Sequence, residues 1–111
     1  MSSAASRPTG PAAPDAFAVT GGTLVLPDRL APGAALVVAD GRIRAVTPEA
    51  ELDEGLRRVD AAGAYVLPGL VDIHTHGAGG RLFNEADDDA WATILAVQLA
   101  HGVTTVLPTT L

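Results

Sequence analysis

Hydrophobic and polar positions change rhythm several times along the chain. Residues 1–15, MSSAASRPTGPAAPD, carry no apolar stripe and are rich in Ser, Ala, Pro and Gly, the composition of a disordered tail. From Phe17 to Leu26 the pattern is apolar and β-branched around Gly21-Gly22, which predicts a strand bent or bulged at the glycines. A second apolar run, 34–39, is separated from residues 42–46 by Asp40-Gly41. That dipeptide signals a two-residue hairpin, because a type I′ turn needs positive φ at both central positions. In the second arm Arg42 and Arg44 alternate with Ile43 and Ala45, so one face should be wet and the arginines need no ligand to explain them. Pro48 opens an acidic connection of Glu49, Glu51, Asp53 and Glu54 that reads as a solvated loop or short helical turn. Val59, Ala61 and Tyr65 then lead back into the sheet.

A different pattern begins at Leu67. Leu67, Leu70, Val71 and Ile73 are apolar with hardly any alternation, which predicts a strand of a parallel sheet covered on both faces. Over residues 85–101, Trp91, Ile94, Leu95 and Leu99 recur at helical spacing. Asn84 or Asp87 can cap that helix, and the acidic cluster Glu85, Asp87, Asp88 and Asp89 suits its positive end without any bound cation. Gly102 supplies the stop, and His101 in the last turn reads as structural. Residues 103–107 form a second β-branched strand ended by Pro108, with Thr109 and Thr110 at its carboxyl end. The order is strand, helix, strand, the pattern of a parallel crossover.

Charge and composition narrow the possible partners. The 111 residues carry a formal charge of −6, which argues against nucleic acid or an anionic membrane surface as partner. All seven basic residues are Arg, so this stretch offers no carboxylated or Schiff-base lysine, and without Cys there is neither a disulfide frame nor a thiolate metal site. No run approaches the roughly 18 apolar residues of a membrane span. The tail lacks the basic start and apolar core of a secretory signal, so the expected address is cytoplasmic.

The candidate chemistry is His74-Thr75-His76 at the end of the apolar strand. In an extended strand residues i and i+2 share a face about 6.6–6.8 Å apart, so the two imidazoles can lean together onto one ion at roughly 2.0–2.1 Å from each nitrogen. Zinc asks for about four ligands, so others must come from elsewhere. Asp72, on the same face one pleat deeper, could accept a hydrogen bond from a ligating imidazole and orient it, or simply hydrogen bond within the floor of the fold. Gly77, Gly79 and Gly80 either free the backbone to approach a substrate or form a flexible surface loop. Arg81 is the nearest cation and could steer an anionic substrate.

The stretch Pro68-Gly69-Leu70-Val71-Asp72-Ile73-His74-Thr75-His76-Gly77 resembles the first barrel strand of the amidohydrolase superfamily, whose signature is Pro-Gly-x-x-Asp-x-His-x-His. With Gly77-Ala78-Gly79-Gly80 and the later His101-Gly102-Val103-Thr104-Thr105-Val106-Leu107-Pro108-Thr109-Thr110, the match is similar to the N-acetylglucosamine-6-phosphate deacetylase family. This resemblance implies an α/β fold. Residues 16–66 would be the N-terminal part of a small, composite β-sandwich, and 67–111 the start of a TIM (β/α)8 barrel of a metal-dependent hydrolase: strand 1, helix 1 and strand 2, the first β-α-β unit. Such a barrel needs roughly 200–400 residues, so the chain reads as the incomplete front of a longer protein. The resemblance makes His74 and His76 ligands of a divalent metal ion, Zn²⁺ foremost, with Fe²⁺ or another ion as alternatives. It implies a small-molecule sugar phosphate substrate, whose acetamide is hydrolysed to acetate and glucosamine 6-phosphate in amino sugar metabolism. A homodimer is implied for the full-length enzyme. The catalytic Asp and remaining ligands would lie beyond residue 111, leaving no catalytic residue within this chain, which is expected to be inactive alone. Two alternatives stand beside this: another amidohydrolase, such as a cyclic amidase of the dihydroorotase type, or a non-catalytic truncated product.

Overall fold

The computed structural model describes residues 15–111, so the expected tail lies, apart from Asp15, outside the described residues. The chain forms mixed sheets with one α-helix among the described residues, and it divides into two units, Met1–Leu67 and Pro68–Leu111. In the first, the strands are β1 (Phe17–Thr20), β2 (Thr23–Val25), β3 (Leu30–Pro32), β4 (Ala34–Ala39), β5 (Arg42–Pro48), β6 (Arg57–Asp60) and β7 (Tyr65–Val66). They make a four-stranded sheet in the order β5-β4-β1-β6 and a three-stranded sheet in the order β3-β2-β7.

The run expected as one bent strand is therefore two strands in two sheets. At the break Gly21 takes φ +70, and its N–H donates to the Glu49 carboxylate at 2.7 Å. The chain leaves the first sheet a second time beside this point. β6 runs parallel to β1 and β7 parallel to β2, and the intervening turn is tied to the first crossing. Ala61 N–H donates to the Thr20 carbonyl and Gly63 N–H to that of Gly21, both at 2.7 Å, while Thr23 N–H reaches the Ala64 carbonyl at 3.0 Å. Ala18, Leu24 and Ala35 are buried, as is the polar Thr20.

The Asp40-Gly41 turn forms as the sequence predicts. Both residues have positive φ, 53° and 67°, and Ala39 pairs with Arg42 across the tip. Arg44 bonds the Asp40 carboxylate at 2.8 Å in an exposed pair. Arg42 and Arg44 are exposed, but Ile43 is 66% exposed as well, so the alternation does not sort into a dry face there. Glu49–Glu51 is a 3-10 turn. The short β3, which pairs antiparallel with β2, has no counterpart in the sequence reading, because three residues ending in proline carry no strand signal.

The second unit contains β8 (Leu70–Thr75), β9 (Gly77–Ala78), β10 (Arg81–Leu82), α1 (Asp88–Ala100) and β11 (Val103–Pro108). β8 and β11 pair in parallel with α1 between them in the chain. The helix begins three residues later than periodicity predicts: Phe83–Glu85 forms a separate 3-10 turn, and Ala86, at φ +49, breaks the path into the helix. Asp87 is the cap, accepting from the Asp89 N–H at 3.2 Å. At the other end the His101 Nδ1–H donates to the Val97 carbonyl at 2.8 Å, a structural role. The core is small: Phe83, Ala90 and Ile94, with Trp91 edge-to-face on Phe83 at 5.1 Å between ring centres and its Nε1–H on the Phe83 carbonyl at 3.3 Å. Leu70, Val71 and Ile73 are 54%, 60% and 72% exposed. The two-sided burial expected of this strand is not met among the described residues, where β11 alone pairs with it. No helix among the described residues is long and apolar enough to cross a membrane.

Candidate metal centre

β8 carries His74 near its end, and His76 follows one residue past the last paired position. The rings meet edge-to-face, 5.1 Å between centres and 88° between planes. Two imidazoles bound through nitrogen at about 2.0–2.1 Å, at a tetrahedral angle, would hold their ring centres about 5.2 Å apart. The spacing therefore suits two ligands of one ion, and neutral imidazole is a donor that zinc and other divalent transition metals accept. Among the described residues no group of three or more His, Cys, Asp or Glu side chains converges, so the pair supplies two positions and no more.

His76 is held from several directions. Its Nδ1 lies 3.1 Å from the Thr109 carbonyl oxygen, which can only accept, so Nδ1 is the donor and in the neutral ring Nε2 is the nitrogen open to a ligand. Its own carbonyl accepts the Phe83 N–H at 2.9 Å, and the Thr109 N–H reaches the carbonyl of the preceding Thr75 at 2.9 Å. Thr75 Oγ1 donates to the Gly77 carbonyl at 3.2 Å.

Asp72 hydrogen bonds neither ring and takes the other role open to it, bonding within the fold. Its Oδ1 accepts the His74 main-chain N–H at 3.1 Å and its Oδ2 the Gln98 side-chain amide at 3.3 Å, tying β8 to α1. The reason lies in the strand pairing. Between the pairs Asp72–Val106 and Thr75–Pro108, β8 contains one residue more than β11. That irregularity disturbs strict alternation, so spacing alone no longer fixes which way Asp72 faces relative to the histidines.

The glycines are spent on a tight hairpin between β9 and β10. Gly79 and Gly80 occupy its turn at φ +62 and +76, and a Cβ on Gly77 would overlap the Arg81 carbonyl. Arg81 is committed locally too. Its Nε bonds Glu85 at 2.8 Å and its terminal nitrogen Asp87 at 2.9 Å, while Glu85 also accepts the Leu82 N–H at 2.7 Å. The Glu85 bond foremost raises the Arg81 pKa, and the Leu82 N–H followed by Arg81 holds the Glu85 carboxyl below its ordinary value. Two carboxylates thus offset the one cation proposed for steering. An open groove of about 460 Å³ between α1 and β11, walled by Trp91, Leu95, Leu99, Val103 and Val106, contains no titratable side chain.

Sequence reasoning missed the Thr109 carbonyl, Gln98 and the two carboxylate partners of Arg81. Only the last has a possible signal, the i,i+4 spacing of Arg81 and Glu85, which falls across the start of the stretch that periodicity makes helical.

No family model matches the chain. Over 76 residues it is 33% identical to N-acetylglucosamine-6-phosphate deacetylase of Haemophilus influenzae, covering 68% of this chain and 20% of that protein. It is 53% identical over 53 residues to imidazolonepropionase of Cupriavidus pinatubonensis, covering 45% and 12%. D-hydantoinase of Rhizobium radiobacter matches at 34% over 89 residues, covering 80% and 19%. Among solved structures, N-acetylglucosamine-6-phosphate deacetylase from Pasteurella multocida aligns with a TM-score of 0.80 at 28% identity, over 86% of this chain and 25% of that one. The enzyme of the same name from Mycobacterium smegmatis gives 0.71 at 36%, over 83% and 26%. The chain spans at most 20% of the length of these curated relatives.

Proposed function

We propose that this chain, whose homologues and structural neighbours include N-acetylglucosamine-6-phosphate deacetylase and other members of the amidohydrolase superfamily, is the amino-terminal part of a metal-dependent deacetylase of an N-acetylated sugar phosphate. The observation that carries the reading is the histidine pair, 5.1 Å apart at the end of a parallel strand with the Nε2 of His76 left for a ligand. Active sites of parallel barrels gather at the carboxyl ends of strands. In this reading β8, α1 and β11 are the first β-α-β unit of a (β/α)8 barrel, and the strands before Pro68 belong to a small sandwich.

His74 and His76 would hold a divalent ion, Zn²⁺ or Fe²⁺. When bound, such an ion polarises a carbonyl and lowers the pKa of water from about 15.7 to about 7. The chain's own residues orient: Asp72 fixes the His74 backbone, and the Thr109 carbonyl fixes the His76 ring. A general base and the other ligands would come from outside the described residues, from a cytoplasmic, homodimeric whole.

A second reading, a cyclic amidase, is favoured by the hydantoinase match over 80% of the chain. The full-length protein decides between them: release of acetate from N-acetylglucosamine 6-phosphate supports the deacetylase, whereas hydantoin ring opening without acetate release replaces it. His74→Ala with His76→Ala in that protein should lower bound metal per subunit, and unchanged stoichiometry would remove the site assignment.

A further inference from the structure

Thr109 grips two consecutive residues at the end of β8 with its main chain alone. Its N–H donates to the Thr75 carbonyl at 2.9 Å, and its carbonyl accepts from His76 Nδ1 at 3.1 Å. The side chain points its bond elsewhere, from Oγ1 to the Leu107 carbonyl at 3.4 Å.

We propose that this main-chain clamp makes Thr109 a positioning residue for the candidate metal centre, holding His76 as its Nδ1–H tautomer so that Nε2 is the nitrogen presented to a divalent cation. The cation rests on the reading above; the tautomer rests on the hydrogen bond. A neutral histidine in water prefers the proton on Nε2, so the clamp reverses that preference. A ligating imidazole needs one nitrogen free and gains orientation when the other donates to a fixed acceptor. The acceptor here is fixed because the same residue is anchored to Thr75, the neighbour of the ring it orients, and because β11 ends in register with β8 at the Pro108–Thr75 pair. β11 thereby contributes to the centre without supplying a ligand.

The test is site-resolved. Long-range ¹H–¹⁵N correlations of the histidine rings in the labelled chain, at about pH 8.5 and above the ordinary imidazole value of about 6.5, should show His76 protonated on Nδ1. Added Zn²⁺ should shift His76 Nε2 and the His74 ring and leave His101 unmoved. Thr109→Ala keeps both main-chain groups and should keep the tautomer and the Zn²⁺ response. Thr109→Pro deletes the N–H anchor and should release the tautomer and weaken Zn²⁺ binding on the order of 10-fold, the lower end of what losing an orienting partner costs. A His76 proton on Nε2 in the unsubstituted chain overturns the proposal whether or not Thr109→Pro folds, as does a Thr109→Ala variant as impaired as Thr109→Pro. An Nδ1–H tautomer with no response of His76 Nε2 or the His74 ring to Zn²⁺ overturns the claim that the clamp presents Nε2 to a cation, whereas the metal reading of the full-length protein stands or falls on its bound-metal stoichiometry.

Discussion

Replacing Phe83 by alanine should unfold the second unit. Phe83 is 2% exposed and is, with Ile94, one of the two large side chains there that are essentially out of water; its ring also supplies the edge-to-face partner of Trp91. Deleting a buried phenylalanine costs about 3–5 kcal/mol when the cavity cannot collapse, and an aromatic pair adds about 0.5–1.5 kcal/mol to what burial alone gives. A unit of about 44 residues has about 2–7 kcal/mol of stability at the usual 0.05–0.15 kcal/mol per residue. The loss is thus comparable to the whole. The chain has a single tryptophan, Trp91, so its emission reports this unit alone. In a urea titration Phe83→Ala should show unfolded-type Trp91 emission before denaturant is added, and Phe83→Leu, which keeps most of the volume, should lose about 1–1.5 kcal/mol and still give a transition. A midpoint for Phe83→Ala close to that of the unsubstituted chain would refute the argument that this core rests on Phe83.

Two further outcomes follow from the second unit. The Glu85 carboxyl is held below its ordinary value of 4.5 by the Leu82 N–H and Arg81, so the stabilisation it gives is complete above that value and is lost as pH falls through the lower folded value. Glu85→Gln should remove that acid limb from the pH dependence of the Trp91 urea midpoint, and an identical limb in the variant would show that the Glu85 contacts contribute nothing. The isolated chain should release no acetate from N-acetylglucosamine 6-phosphate, because two imidazoles fall short of the three protein ligands of a catalytic zinc site; acetate production by the purified chain would contradict this.

Local chemistry was legible in the sequence where one or two residues decide a conformation. Asp40-Gly41 has to turn, Asp87 caps, and the apolar runs around His74 and Val103 become paired parallel strands. What escaped depended on main-chain groups or on distant partners. A carbonyl such as that of Thr109 has no residue-type signature, since every residue owns one. Periodicity alone puts Glu85 and Asp87 in the helix and says nothing of their pairing with Arg81; Ala86 in a left-handed conformation, rare for alanine, makes the helix begin later. The orientation of Asp72 escaped for a related reason, since counting by twos fails once a strand carries an extra residue.

In the first unit, the chain passes from the four-stranded sheet to the three-stranded one twice, at Gly21-Gly22 and again at 61–64, and these passages are laced to each other by three main-chain hydrogen bonds. Neither passage can lengthen without pulling its neighbour out of step. Insertions and deletions in descendants of this sequence should accordingly avoid both places or arrive at both together, whereas the Asp40-Gly41 tip, which faces no such companion, is where extra residues would be tolerated.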